Sequence, residues 1–160
     1  MIQALTLLVI SILVVADQLI KKAVISNLAV GESCLRVPGF IEIQYCRNYG
    51  GMMGTFDGMA KILSVAAIVI LIAVLVMMLT KKIKFGVLYA GLVMIVAGGI
   101  GNLIDRVTLG YVIDYINVLF VDFYIFNFAD CLITVGSFGI IIFEIYELIV
   151  EMRKKGESNG

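Results

Sequence analysis

The sequence predicts a membrane all-α bundle: four transmembrane helices carrying a small extracytoplasmic β-sheet and an interfacial segment. Three observations lead there. The 160-residue chain is 62% hydrophobic with a mean hydropathy of +1.10, well above what soluble domains carry. Its apolar residues gather into four runs, each about the 17–25 residues that a crossing requires. Its basic residues cluster, with six of the twelve Lys and Arg at positions 81–84 and 153–155.

The first apolar run opens at Met1 and closes at Asp17-Gln18-Leu19-Ile20-Lys21-Lys22, giving a span over about 1–21. It lacks a basic leader and a small-x-small cleavage site, so a retained helix is expected rather than a signal peptide. A loop over about 22–59 follows. In it Ile41, Ile43 and Tyr45 alternate with Glu42 and Gln44, as in a half-buried strand, and the turn-rich stretch Asn48 to Gly54 comes next. The second span, about 60–79, is stopped by Lys81, Lys82 and Lys84. The third, about 85–104, is rich in small residues, among them Gly91, Ala97, Gly98, Gly99 and Gly101, which suit close helix packing. A second loop over about 105–127 holds an apolar stretch at 112–126, expected to be part strand and part interfacial. The fourth span, about 128–150, ends before Arg153-Lys154-Lys155. The positive-inside rule places both basic clusters and both termini in the cytoplasm, and both loops outside. Lys21 and Lys22 run against that rule. The chain forms one integral membrane domain.

Composition also excludes chemistry. There is no histidine, which removes Ser-His-Asp and Cys-His nucleophiles and HExxH zinc sites. No CxxC pair exists, so no thiolate metal site is expected. Cys34 and Cys46 share the first loop, and a disulfide between them is one option, although nothing fixes its geometry. The net charge is zero, so no nucleic-acid partner is indicated.

The polar residues of the oily chain are the functional suspects. Asp105, Asp114 and Asp130 all fall near the outer interface. Asp114 and Asp130 bracket a loop that leaves the membrane and returns, so they can face each other. Two facing carboxylates near lipid tend to share one proton, which separates a base from an acid. Plainer readings stand beside this one. Asp130 suits an N-terminal cap, Asp114 can pair with Arg106, and Asp105 next to Arg106 can anchor a helix end. Asp17 and Lys21, at i and i+4, form an ion pair on one helix face. Asn48, Asn102 and Asn127 can satisfy backbone groups at helix ends. An alternative function is a small transporter or channel that uses the carboxylates as ion sites; it calls for a midplane acidic residue and often for repeats, and neither is seen.

In order along nearly the whole chain, these residues resemble lipoprotein signal peptidase (signal peptidase II), an aspartyl protease family. The carriers are Asp17-Gln18-x-x-Lys21, Asn48-x-Gly50 with Gly54, Gly101-Asn102-x-x-Asp105-Arg106, Val112-Ile113-Asp114-Tyr115 and Phe126-Asn127-Phe128-Ala129-Asp130. The resemblance implies Asp114 and Asp130 as the catalytic pair. It implies Asn48, Gly54, Asn102, Asp105, Arg106, Asn127 and Ala129 as supporting or substrate-binding residues, with Asp17 and Lys21 stabilising the fold. It further implies a β-cradle on four helices in the bacterial cytoplasmic (inner) membrane, with the site at the extracytoplasmic face. The implied substrates are diacylglyceryl prolipoproteins, cleaved before the lipidated cysteine. Membrane lipids and the cyclic peptide globomycin are the other implied partners, with no metal or cofactor, and a monomer is expected. Two departures stand out. Tyr49, Gly51, Met52 and Met53 replace the family's usual Thr, Ala, Ala and Phe, and Cys131 replaces the serine that usually follows the second aspartate.

Overall fold

The structure is a computed structural model that describes residues 2–49, 60–80 and 82–158. The described elements run α1 (Ile2–Asn27), β1 (Ser33–Val37), β2 (Ile41–Asn48), α2 (Ala60–Leu79), α3 (Val87–Thr108), β3 (Val112–Val118) and α4 (Phe128–Ser158). Among the described residues, α1, α3 and α4 are each long and apolar enough to cross a membrane, and α2 carries a shorter apolar stretch, Val65–Leu79. The chain is a multi-pass membrane protein.

Burial follows the helical period. In α1 the inward stripe is Thr6, Ile10, Asp17, Lys21 and Val24. The opposite stripe of Leu5, Leu8, Ile12, Val15 and Leu19 is exposed, as expected of a face that meets lipid. The central helix is α3, which packs on α1, α2 and α4. Its small residues let α4 approach at backbone distance. A Cβ on Gly91 would stand 2.8 Å from the Gly136 carbonyl oxygen, and one on Gly136 would stand 2.6 Å from that of Gly91. A Cβ on Gly98 would meet the Ala129 carbonyl. Without a hydrophobic effect between helices in lipid, such close contact is a principal source of association. Ile10, Met78, Tyr89, Val93, Val96, Ala97 and Leu132 form the core between the helices.

The strands form one antiparallel sheet in the order β1-β2-β3. Since β2 follows α1 and β3 follows α3, the ends of these two helices lie at the same end of the bundle. Helix α3 stops at Leu109, and Gly110, at φ 81°, turns the chain into β3. An L side chain is disfavoured in that backbone region. Val24 at the end of α1 packs with Tyr45, Ile113 and Tyr115 of the sheet. That contact explains why α1 continues to Asn27, past the expected end near residue 21. Helix α4 likewise outruns its expected end at 150, with charged residues continuing it to Ser158. The strand expected within 112–126 is β3, and Phe126 in the segment that follows bridges to Ile116. The three cysteines are free: Cys34 lies opposite Ile43 and Cys46 opposite Asp114, so the Cys34–Cys46 disulfide is not formed.

Candidate active site

The polar residues converge where α1, α3, α4 and the sheet meet. Asp17 and Lys21 come from the inward stripe of α1. Their ion pair spans 2.9 Å, and the same ammonium sits 2.8 Å from Asp105 on α3. All three are buried. Gly101 makes room for this group, since a Cβ there would stand 2.6 Å from Asp17 Oδ2. Gln18 completes it by donating to Asp105 Oδ1 at 3.0 Å. Asp105 Oδ2 also accepts the Ile113 N–H at 3.1 Å, which ties the start of β3 to α3. Asp105 therefore anchors a helix end, as one plain reading expects, but its cation is Lys21 and not Arg106. Lys21 is a buried ion-pair partner rather than a solvated loop charge.

From Lys21 a directed chain of amides leads to the other two carboxylates. The ammonium donates to Asn102 Oδ1 at 3.0 Å, so the Asn102 NH2 faces away and donates to Asp130 Oδ1 at 2.7 Å. Asn127 Nδ2 donates to Asn102 Oδ1 at 3.1 Å and to Asp114 Oδ1 at 2.6 Å. Asn48 Nδ2, from the end of β2, donates to Asp114 Oδ2 at 2.9 Å. A cation accepts no hydrogen bond, so the amide orientations follow outward from Lys21.

Asp130 has a second duty. Asn127 Oδ1 accepts the Asp130 N–H at 2.9 Å, and Asp130 Oδ2 accepts the Asn127 N–H at 3.1 Å. This is a reciprocal capping box at the start of α4. The capping reading of Asp130 and its placement beside Asp114 hold together. The backbone N–H of Ala129, the next buried residue, donates to Asp17 Oδ1 at 3.1 Å.

Asp114 and Asp130 have amide donors but, among the described residues, no ion pair. Burial, followed by the negative charge of Asp130, pushes the Asp114 carboxyl up to about 7. Hydrogen bonds from Asn48 and Asn127 and the charge of Lys21 oppose that rise. The expected pairing of Asp114 with Arg106 is absent, although the Arg106 charge reaches Asp130. Gly54 lies outside the described residues. Gln18, Tyr115, whose hydroxyl accepts the Phe128 N–H at 3.1 Å, and Cys46 join the site beyond expectation. The Cys46 thiol is pushed up by burial and by Asp114, which disfavours a nucleophilic thiolate. Spacing offered a signal for two of these: Gln18 stands inside the Asp17–Lys21 motif, and Cys46 is one strand period from Asn48.

Such a site places the Asp114 carboxyl within reach of the Asp130 charge in a histidine-free setting. Residues 9–146 match the family model described as signal peptidase (SPase) II. The chain belongs to the signal peptidase II family. This is a family of aspartic-type proteases. The chain is 35% identical over 144 residues to the lipoprotein signal peptidase of Lactobacillus johnsonii, covering 90% of this chain and 94% of that one. It is 35% identical over 154 residues to that of Enterococcus faecalis, covering 96% and 93%. A bacterial membrane enzyme solved by the in meso method at 2.3 Å superposes with a TM-score of 0.83 at 30% identity, covering 91% of this chain and 90% of that one. The family assignment agrees with the one that the sequence motifs suggest.

Proposed function

We propose that the chain is an intramembrane aspartyl endopeptidase that removes the signal peptide from diacylglyceryl-modified prolipoproteins, with Asp114 and Asp130 as its catalytic pair. The carrying observation is that the buried Asp114 and the half-buried Asp130 are joined through Asn127 and lack the lysine that neutralises Asp17 and Asp105. Asp114, the more deeply buried, holds the shared proton. Asp130, which accepts two N–H bonds at the positive end of α4, stays ionised.

In the reaction, Asp130 takes a proton from water as its oxygen attacks the scissile carbonyl carbon. Asp114 donates its proton to the carbonyl oxygen. Collapse of the tetrahedral intermediate returns that proton to Asp114. Asp130 passes the water's proton to the leaving amine as the C–N bond breaks, so no covalent enzyme intermediate forms. The two groups titrate as a unit. Asn48, Asn102, Asp105, Arg106, Asn127, Ala129 and Gly54 support the pair or the substrate, and Asp17 with Lys21 holds the frame. The lipid on the substrate cysteine stays in the bilayer and positions the bond at the interface, so binding energy remote from the bond aids its cleavage. No cofactor takes part.

The topology supports four crossings. The sheet holds the outer ends of α1 and α3 together, so the chain must return between them, and α2 is the segment available. Met78 at its far end packs with Ile10 and Tyr89. With the basic clusters inside, the site faces outward in the bacterial cytoplasmic membrane and both termini face the cytoplasm. The enzyme acts as a monomer, and globomycin competes with its substrate.

The test is cleavage by the purified protein of a diacylglyceryl prolipoprotein and of its unlipidated precursor. The lipidated form is expected to be cut before the cysteine and the unlipidated form left intact. Ion transport without cleavage, or equal cleavage of both forms, would overturn the reading.

A further inference from the structure

At the end of the bundle away from the carboxylates lies a hollow of about 420 Å³. Ile2 and Gln3 of α1, Met78 of α2 and Tyr89 of α3 line it, with Ile83 and Phe85 from the α2–α3 connection. Met78 is fully buried, and the Tyr89 hydroxyl is satisfied by Thr6 Oγ1 at 2.8 Å. Apart from Gln3 the walls are therefore apolar, and the exposed Lys84 stands at the rim. Among the described residues, no carboxylate pairs with Lys82 or Lys84. The first turns of α1 and α3, which begin at this end, contain no acidic residue, so their positive dipole ends are not offset there.

We propose that this hollow binds one anionic phospholipid, its acyl chain against Met78, Ile83 and Tyr89 and its phosphate at Lys84. The argument is charge complementarity. An apolar pocket at membrane depth takes a chain, and an unpaired ammonium at its mouth selects a negative headgroup. The site is separate from the proposed proteolytic pair, and its test does not depend on that reading.

The experiment is native mass spectrometry of the full chain with dimyristoyl phosphatidylglycerol or dimyristoyl phosphatidylcholine, which share their acyl chains. The wild type is expected to retain phosphatidylglycerol in preference. Lys84→Gln should weaken that retention roughly fivefold, the effect of about one interfacial cation, and lower phosphatidylcholine retention by less, so that the preference is lost. Lys154→Gln, at the end of α4, should leave the preference intact. Ile83→Trp, which fills the hollow, should lower retention of both lipids. Melting without lipid checks that each variant is folded. Equal retention of the two lipids by the wild type, or a preference that survives Lys84→Gln, would overturn the site. Displacement of the lipid by millimolar inorganic phosphate alone would refute a phospholipid as the ligand.

Discussion

Two carboxylate pairs lie side by side in this molecule and differ in one respect. Asp17 and Asp105 share the Lys21 ammonium, at 2.9 and 2.8 Å. Asp114 accepts from the side-chain amides of Asn48 and Asn127, and Asp130 accepts from the Asn102 side-chain amide and the Asn127 backbone N–H. An amide stabilises a carboxylate locally but adds no charge, so the second pair keeps its mutual repulsion. A cation turns buried carboxylates into scaffold, whereas neutral donors leave them free to trade protons.

The comparison can be broken most severely at the second pair. Asp114→Asn and Asp130→Asn should each lower proteolysis by about 10³-fold or more while the protein stays folded, as expected on losing a general acid or base. Turnover near the wild-type rate would remove the pair from the mechanism. At the first pair the effect should fall on stability. Lys21→Met leaves two buried carboxylates without their cation and should cost about 3–5 kcal/mol, read as loss of folded protein in detergent. Adding Asp17→Asn and Asp105→Asn should restore much of the folding. If Lys21→Met alone melts like the wild type, Lys21 is not the neutralising centre.

The sequence made the facing of Asp114 and Asp130 and the Asp17–Lys21 ion pair legible, because polar residues in an oily chain are costly and Asp17 and Lys21 sit at helical spacing. The partner of Asp105 was less accessible. Arg106 is its nearest cation in sequence, but consecutive helical residues point in different directions. Only the packing of α1 on α3 brings Lys21 within reach. The cap role of Asp130 and its proposed catalytic role could not be told apart from position alone, since a carboxylate at a helix start can cap it whatever else it does. The extension of α1 depended on the sheet, whose register no local pattern specifies.

A smaller effect lies in pH. With the Asp114 carboxyl raised to about 7, the pair should hold its proton below that pH and lose it above. Activity is therefore expected to decline as pH rises through about 7. The native protein binds this proton more tightly than the unfolded chain does, so stability should also fall as pH climbs from the ordinary aspartate range toward 7. Asp114→Asn should flatten that slope in a series of melting curves. A slope unchanged by the substitution would place the titration elsewhere. Least affected should be Cys131→Ser, expected to keep activity within about twofold, because no step of the proposed reaction uses a thiol. Complete inactivity of that variant would revive a nucleophilic sulfur.

The sheet joins two segments that the chain makes far apart, with β2 after α1 and β3 after α3. During synthesis Asn48 is therefore laid down long before the carboxylate it holds, and Asp130 comes later still. Asp17 and Lys21 wait for Asp105 in the same way. Non-local contacts of this kind form late, after the intervening chain has closed into a loop. On the proposed mechanism, a newly inserted chain would be inert until α4 docks, and any delay in the entry of that helix would postpone activity without harming the helices already in place.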